Sequence, residues 1–132
     1  MRFTVDRIDH IVITCADIET SASWYQRVLG MEREEFGTER RTALKFGGQK
    51  INLHQRGEEV KPNARAAAPG TADVCFIAAV GTDEIMDHLG ACGVTVELGP
   101  VNRTGAFGPI SSVYCRDPDG NLIEVSSYLH DD

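Results

Sequence analysis

Residues able to do metal or acid–base chemistry recur in this chain inside short apolar runs. His10 follows Asp9 and precedes Ile11-Val12-Ile13; Asn52 and His54 alternate with Ile51 and Leu53. Asp73 opens Asp73-Val74-Cys75-Phe76, and Glu124 sits in Leu122-Ile123-Glu124-Val125. A polar group in an apolar strand is expensive unless it is paired, hydrated or bound to an ion. Imidazole and carboxylate together make a serviceable site for a divalent cation. Arg103-Thr104 suits an anionic substrate. Each has a plainer alternative. His10 would be a hydrogen-bonded strand histidine, and Glu124 a structural carboxylate paired with an arginine. His54 would line a cleft without metal, Asp73 would accept from backbone donors, and Arg103 would be solvated.

The spacing of these residues is itself ordered, because the chain contains its own pattern twice. The run around His10 matches the run around Asp73 at an offset of 73 − 10 = 63, and Leu29-Gly30-Met31 matches Cys92-Gly93-Val94 at 92 − 29 = 63. Gly48-Gln49-Lys50-Ile51-Asn52-Leu53 matches Gly120-Asn121-Leu122-Ile123-Glu124-Val125 at 120 − 48 = 72. The larger offset fits a longer loop around 99–109. His10 is thereby paired with Asp73, and Asn52 with Glu124. So long a period is not a solenoid unit; two copies make one small domain with internal symmetry.

The elements that position them follow from periodicity and punctuation. The first copy predicts a strand near 8–14, a helix from an Asp17 N-cap through Trp24 and Tyr25 to Leu29 with Gly30 as its stop, and strands near 32–36, 41–46 and 50–55. Gly47-Gly48 reads as a hairpin turn. The second predicts a strand at 73–79, a helix at 82–92 stopped by Gly93, a strand at 94–97, a long loop, and strands near 110–116 and 121–128. Asp117-Pro118-Asp119-Gly120 is the last turn. The expected fold class is α+β, with two βαβββ modules forming a curved, partly open sheet around a concave metal or ligand cleft and helices on the outer face. One domain covers 1–132: module one about 7–57, a linker about 58–70, module two about 71–128. Strand alternation puts His10, Asn52, His54 and Glu124 on polar faces, with Ile11, Ile13, Ile51, Leu53, Ile123 and Val125 packing under helices. His88 reads as a surface residue and His130 as part of the tail.

Composition excludes other classes. Hydrophobic content of 42% and charged content of 25% are ordinary for a globular protein. A net charge of −7 argues against a nucleic-acid partner. No apolar run is long enough to span a membrane, and the N-terminal stretch lacks a secretory h-region. Cys15, Cys75, Cys92 and Cys115 form no C-x-x-C pair and read as buried free thiols, so the cytoplasm is the expected compartment.

IDHIVITCADIETSASWYQRVLGM near the start and RDPDGNLIEV near the end resemble the vicinal oxygen chelate superfamily, which contains glyoxalase I, bleomycin-resistance proteins and extradiol dioxygenases. FGGQKINLHQ, PGTADVCFI and GPVNRTGAFGPISSVYCRDPDGNLIEVSSY are similar to the glyoxalase domain-containing protein 5 group and its bacterial relatives. The resemblance implies a divalent metal (Zn, Ni, Mn or Fe) held by His10 and Glu124, completed by His54 or by Asp73. It departs from the glyoxalase I pattern at Asn52, where a carboxylate is expected, and at Asp73, where a histidine is. It implies a small-molecule substrate and a homodimer. A glyoxalase-like lyase or isomerase is the favoured function, for which the resemblance implies Glu124 as the catalytic general base; an extradiol-type dioxygenase and a non-catalytic sequestering protein are the alternatives.

Overall fold

A computed structural model describes residues 2–129; His130 lies outside them. The chain divides into two compact units, Met1–Ala68 and Pro69–Asp132, with the boundary inside the expected linker. Among the described residues no helix is long and apolar enough to cross a membrane.

The first unit contains β1 (His10–Cys15), α1 (Ile18–Leu29), β2 (Glu32–Phe36), β3 (Arg41–Phe46) and β4 (Gln49–Gln55). The Asp17 carboxylate accepts from the Thr20 N–H at 3.1 Å, satisfying one of the donors that a helix start leaves open. At the other end Gly30 takes the left-handed conformation that terminates α1. Ala22, Tyr25 and Val28, spaced by three, are buried, and Trp24 packs edge-on to Tyr25 at 4.9 Å. They meet Ile13, Cys15, Leu44, Ile51 and Leu53 in the core. Gly47 and Gly48 both have positive φ, as the predicted tight turn requires. The strand order is β1-β4-β3-β2, with β1 and β4 parallel.

The second unit repeats this plan with β5 (Asp73–Ile77), α2 (Thr82–Ala91), β6 (Leu98–Gly105), β7 (Gly108–Arg116) and β8 (Leu122–Tyr128), in the order β5-β8-β7-β6. The two copies therefore build one four-stranded mixed sheet each. Their correspondence holds pair by pair. His10 lies opposite Lys50 and Val12 opposite Asn52; Asp73 lies opposite Leu122 and Cys75 opposite Glu124. These registers preserve both offsets, 73 − 10 = 63 and 122 − 50 = 72.

The region before β7 departs from expectation. Residues 94–97 are not a strand, and the long loop is an edge strand, β6, joined to β7 by a two-residue turn at Ala106-Phe107. Gly99-Pro100 and the polar run after it lack apolar alternation and so read as loop. An edge strand nonetheless tolerates a proline, because one side of its backbone needs no ladder partner. The register shift between Leu98 and Val101 absorbs the interruption. Gly99 has φ +130, and a Cβ there would lie 2.6 Å from the Ser112 carbonyl oxygen. Glycine is what lets the two backbones approach. The cysteines also divide: Cys15 and Cys115 are buried free thiols as expected, Cys92 is half-buried and Cys75 is exposed. Cys75 lies on the sheet face opposite to the one covered by α2.

Candidate functional site

In the second unit, β8 and β5 run parallel and present Glu124 and Cys75 side by side on the face away from Ile123 and Val125. β7 adds Tyr114 opposite Glu124 and Ser112 opposite Ser126. Ser112 Oγ donates to Glu124 Oε2 at 2.6 Å, and the Ser112 and Ser126 hydroxyls are 2.7 Å apart. Ser126 Oγ is also 3.3 Å from the Cys75 sulfur and 3.3 Å from Glu124 Oε2. One orientation uses every proton: Cys75 donates to Ser126, Ser126 to Ser112, and Ser112 to Glu124. Both serines are fully buried. Although the residue is exposed, partial desolvation of its sulfur beside the serines pushes the Cys75 thiol above its usual range, with the Glu124 charge acting in the same direction, so the thiol stays protonated and able to donate.

Glu124 and Cys75 belong to the lining of a cleft of about 340 Å³, shared with Ile77, Thr104, Ile110 and Tyr128. That size is at the low end for small-molecule sites. Gly105 also lines it, and a Cβ at Gly105 would sit 2.7 Å from the Tyr128 hydroxyl. The Tyr128 oxygen accepts from the Phe107 N–H at 3.1 Å, which holds the ring against the β6–β7 turn.

Arg103 is on a strand, β6, rather than in a loop. Its Nε–H donates to the Tyr114 hydroxyl at 3.0 Å and its guanidinium stacks on that ring. Thr104 lines the cleft; Arg103 does not. Asp73 is exposed at the start of β5, two pairs away from Glu124 along the sheet.

In the first unit His10 is exposed, and its Nδ1 lies 2.8 Å from Asp9 Oδ1. A carboxylate on one ring nitrogen is how metal-binding histidines are commonly oriented, with the other nitrogen turned to the ion. The contact also holds the Asp9 carboxyl below its ordinary range. His54 differs. It is buried, and Arg41 Nη2 lies 3.3 Å from its Nε2. A guanidinium can only donate, so Nε2 accepts and the ring is neutral. Burial, then the Arg41 charge, lowers its pKa. That ring nitrogen is thus occupied, beside a fixed cation. Within either unit, among the described residues, no three His, Cys, Asp or Glu side chains converge in a way that could hold a metal.

Strand alternation places Ser126 on the face of Glu124, as the structure has it. Ser112, Cys75, Tyr128 and Arg41 are the participants that the sequence reading missed; the same alternation would have reached Tyr128, and the others required the cross-strand register.

The fold and this face define the class of protein. Residues 7–125 match the model of the Glyoxalase/Bleomycin resistance protein/Dioxygenase superfamily, and the chain belongs to that superfamily. Among individual relatives, it is 46% identical over 129 residues to the virulence protein STM3117 of Salmonella typhimurium, covering 98% of this chain and 89% of that one. It is 30% identical over 126 residues to a probable lactoylglutathione lyase of Vibrio cholerae, covering 90% of this chain and 88% of the relative. Among solved structures it is similar to an integron cassette protein from the mobile metagenome of V. cholerae, at 50% identity and TM-score 0.94, covering 98% of this chain and all of that one.

Proposed function

We propose that the protein is a metal-dependent small-molecule enzyme of the vicinal oxygen chelate type, acting as a glyoxalase-like lyase or isomerase. The observation that carries this reading is the state of Glu124. One carboxylate oxygen is held by buried serine hydroxyls, while the residue lines a small cleft with mixed polar and apolar walls. That arrangement leaves Oε1 for an ion or a proton. The other candidate ligands are His10, oriented by Asp9 in the first module, and Asp73, on the strand beside that of Glu124 in the second. His54 fits poorly, because Arg41 occupies its Nε2. The ion, when bound, would polarise two neighbouring oxygens of the substrate. The chain's own residues do the rest. Ile77, Ile110 and Tyr128 take up the apolar part and exclude water, Thr104 offers a hydroxyl, and Glu124 takes a proton from the carbon beside the polarised oxygens and returns it. Similarity to a lactoylglutathione lyase supports isomerisation over oxygenation. A homodimer in the cytoplasm completes the reading.

The test is elemental analysis of the purified protein, then turnover of a hemithioacetal and of a catechol after loading with Zn, Ni, Mn or Fe. Glu124→Gln is expected to lower hemithioacetal turnover roughly 10³-fold with the far-UV spectrum intact. Catechol cleavage with iron alone would move the assignment to dioxygenase. A protein that acquires no ion, and whose ligand binding is indifferent to His10→Ala, would sink the enzyme reading. The second reading, a non-catalytic sequestering protein, is favoured by one observation: the engagement of His54 with Arg41, which removes a ligand from the metal set.

A further inference from the structure

In the last turn of α2, His88 stands four residues ahead of Cys92, the residue that closes the helix. Side chains at that spacing share a helix face. His88 is exposed and Cys92 half-buried, and the imidazole Nε2 lies 3.5 Å from the Cys92 sulfur. Neither residue lines the cleft that holds Glu124.

That separation is the one a zinc ion imposes on its ligands. Tetrahedral zinc, about 2.3 Å from a thiolate sulfur and about 2.05 Å from an imidazole nitrogen, sets those two atoms about 3.6 Å apart. The backbone beneath the pair is fixed, because the Cys92 N–H donates to the His88 carbonyl at 3.0 Å. There is room for a hydrated ion as well. Gly90, Ala91 and Gly93, beside Cys92, are all exposed, and a Cβ at either glycine would meet nothing within 4 Å. The charges have the right sign. A helix C-terminus carries partial negative charge, and the Glu84 and Asp87 carboxylates on α2 are exposed.

We propose that His88 and Cys92 form a zinc site at the C-terminal end of α2, with water in the remaining coordination positions. The entering ion displaces the thiol proton to solvent, so that thiolate and neutral imidazole are the ligands. Sulfur with imidazole selects zinc over magnesium or calcium. Two protein ligands make this an exchangeable site rather than a closed structural one. Its effect falls on a lightly anchored helix: α2 has no side-chain cap at Gly81, and its buried residues are Ile85 and Leu89. An ion that bridges adjacent turns needs the folded helix, and so stabilises it by mass action. The site uses neither His10 nor Glu124, so its failure would leave the preceding reading untouched.

Cobalt(II) is the probe, since it takes the place of zinc and reports a thiolate ligand as a near-ultraviolet charge-transfer band. It is titrated into the full chain under a non-thiol reductant. A saturable band that zinc bleaches is expected, retained in Cys75→Ser and abolished in Cys92→Ser. His88→Gln, at an exposed position, should weaken cobalt binding by roughly tenfold or more and shrink the rise in melting point that zinc produces. Should Cys92→Ser fail to fold, the His88→Gln and Cys75→Ser titrations decide. No band, a band that survives Cys92→Ser or vanishes in Cys75→Ser, or an affinity indifferent to His88→Gln would each overturn the proposal.

Discussion

The two modules share a template and differ in what they do with it. At corresponding pairs, module one has Asn52 beside Val12, and module two has Glu124 beside Cys75. Where Arg41 contacts His54, Ser112 stands next to Ser126. The first face is cationic and leaves polar atoms without partners; the second holds a carboxylate in a hydrogen-bonded chain that ends on it. The two modules share strand order and register, and the side chains at corresponding positions set their faces apart. The helices differ as well. α1 buries Ser21, Ala22, Trp24, Tyr25 and Val28 behind a capped start, whereas α2 buries Ile85 and Leu89 and starts at Gly81 without a side-chain cap.

Substitutions that act on one module only can break this contrast. The largest effect is expected at the backbone contact behind the serines. Gly99→Ala should destabilise the fold by about 3 kcal/mol, seen as a melting point about 10 °C lower, because neither φ nor the Ser112 carbonyl leaves room for a methyl group. Next is Ser112→Ala, which removes the shorter bond to Glu124. Metal affinity measured by competition with a chromogenic chelator should fall about 10- to 100-fold, the usual consequence of losing a ligand's orienting partner. An unchanged affinity would mean that Ser126 alone suffices.

A pH series addresses the first module. His54 has an ordinary pKa of 6.5, lowered in the folded state by burial and then by Arg41. The unfolded chain therefore binds the proton more readily, and the stability linked to the neutral ring is present above pH 6.5 and lost as pH falls through the folded value. Melting temperature should drop on acidification from neutral pH, and His54→Gln should reduce the slope. A slope indifferent to that substitution would remove His54 from the account. The smallest effect is a gain: Gly81→Ser should stabilise by a few tenths of a kcal/mol. A Cβ at Gly81 meets nothing within 4 Å, and calorimetry would read the change as a slightly higher midpoint.

Much of this was legible before any coordinates. The Asp17 and Gly30 signals bound α1, the glycine pair turned β3 into β4, and the internal repeat carried through to the strand registers. The edge strand β6 was not legible, because Gly99-Pro100 and Asn102-Arg103-Thr104 carry no apolar alternation and its pairing with β7 is non-local. Of the candidate residues, Glu124 and Thr104 line a cleft, Arg103 stacks on Tyr114 outside it, and His54 is committed to Arg41.

The sequence by itself determined the repeat, the element types and which residues share a strand face, since those follow from local periodicity and turn chemistry. Tertiary structure decided which side chains meet across strands. The partners of Glu124 and His54 come from β7 and β3, many residues away along the chain, and only the hydrogen-bonded register brings them within reach.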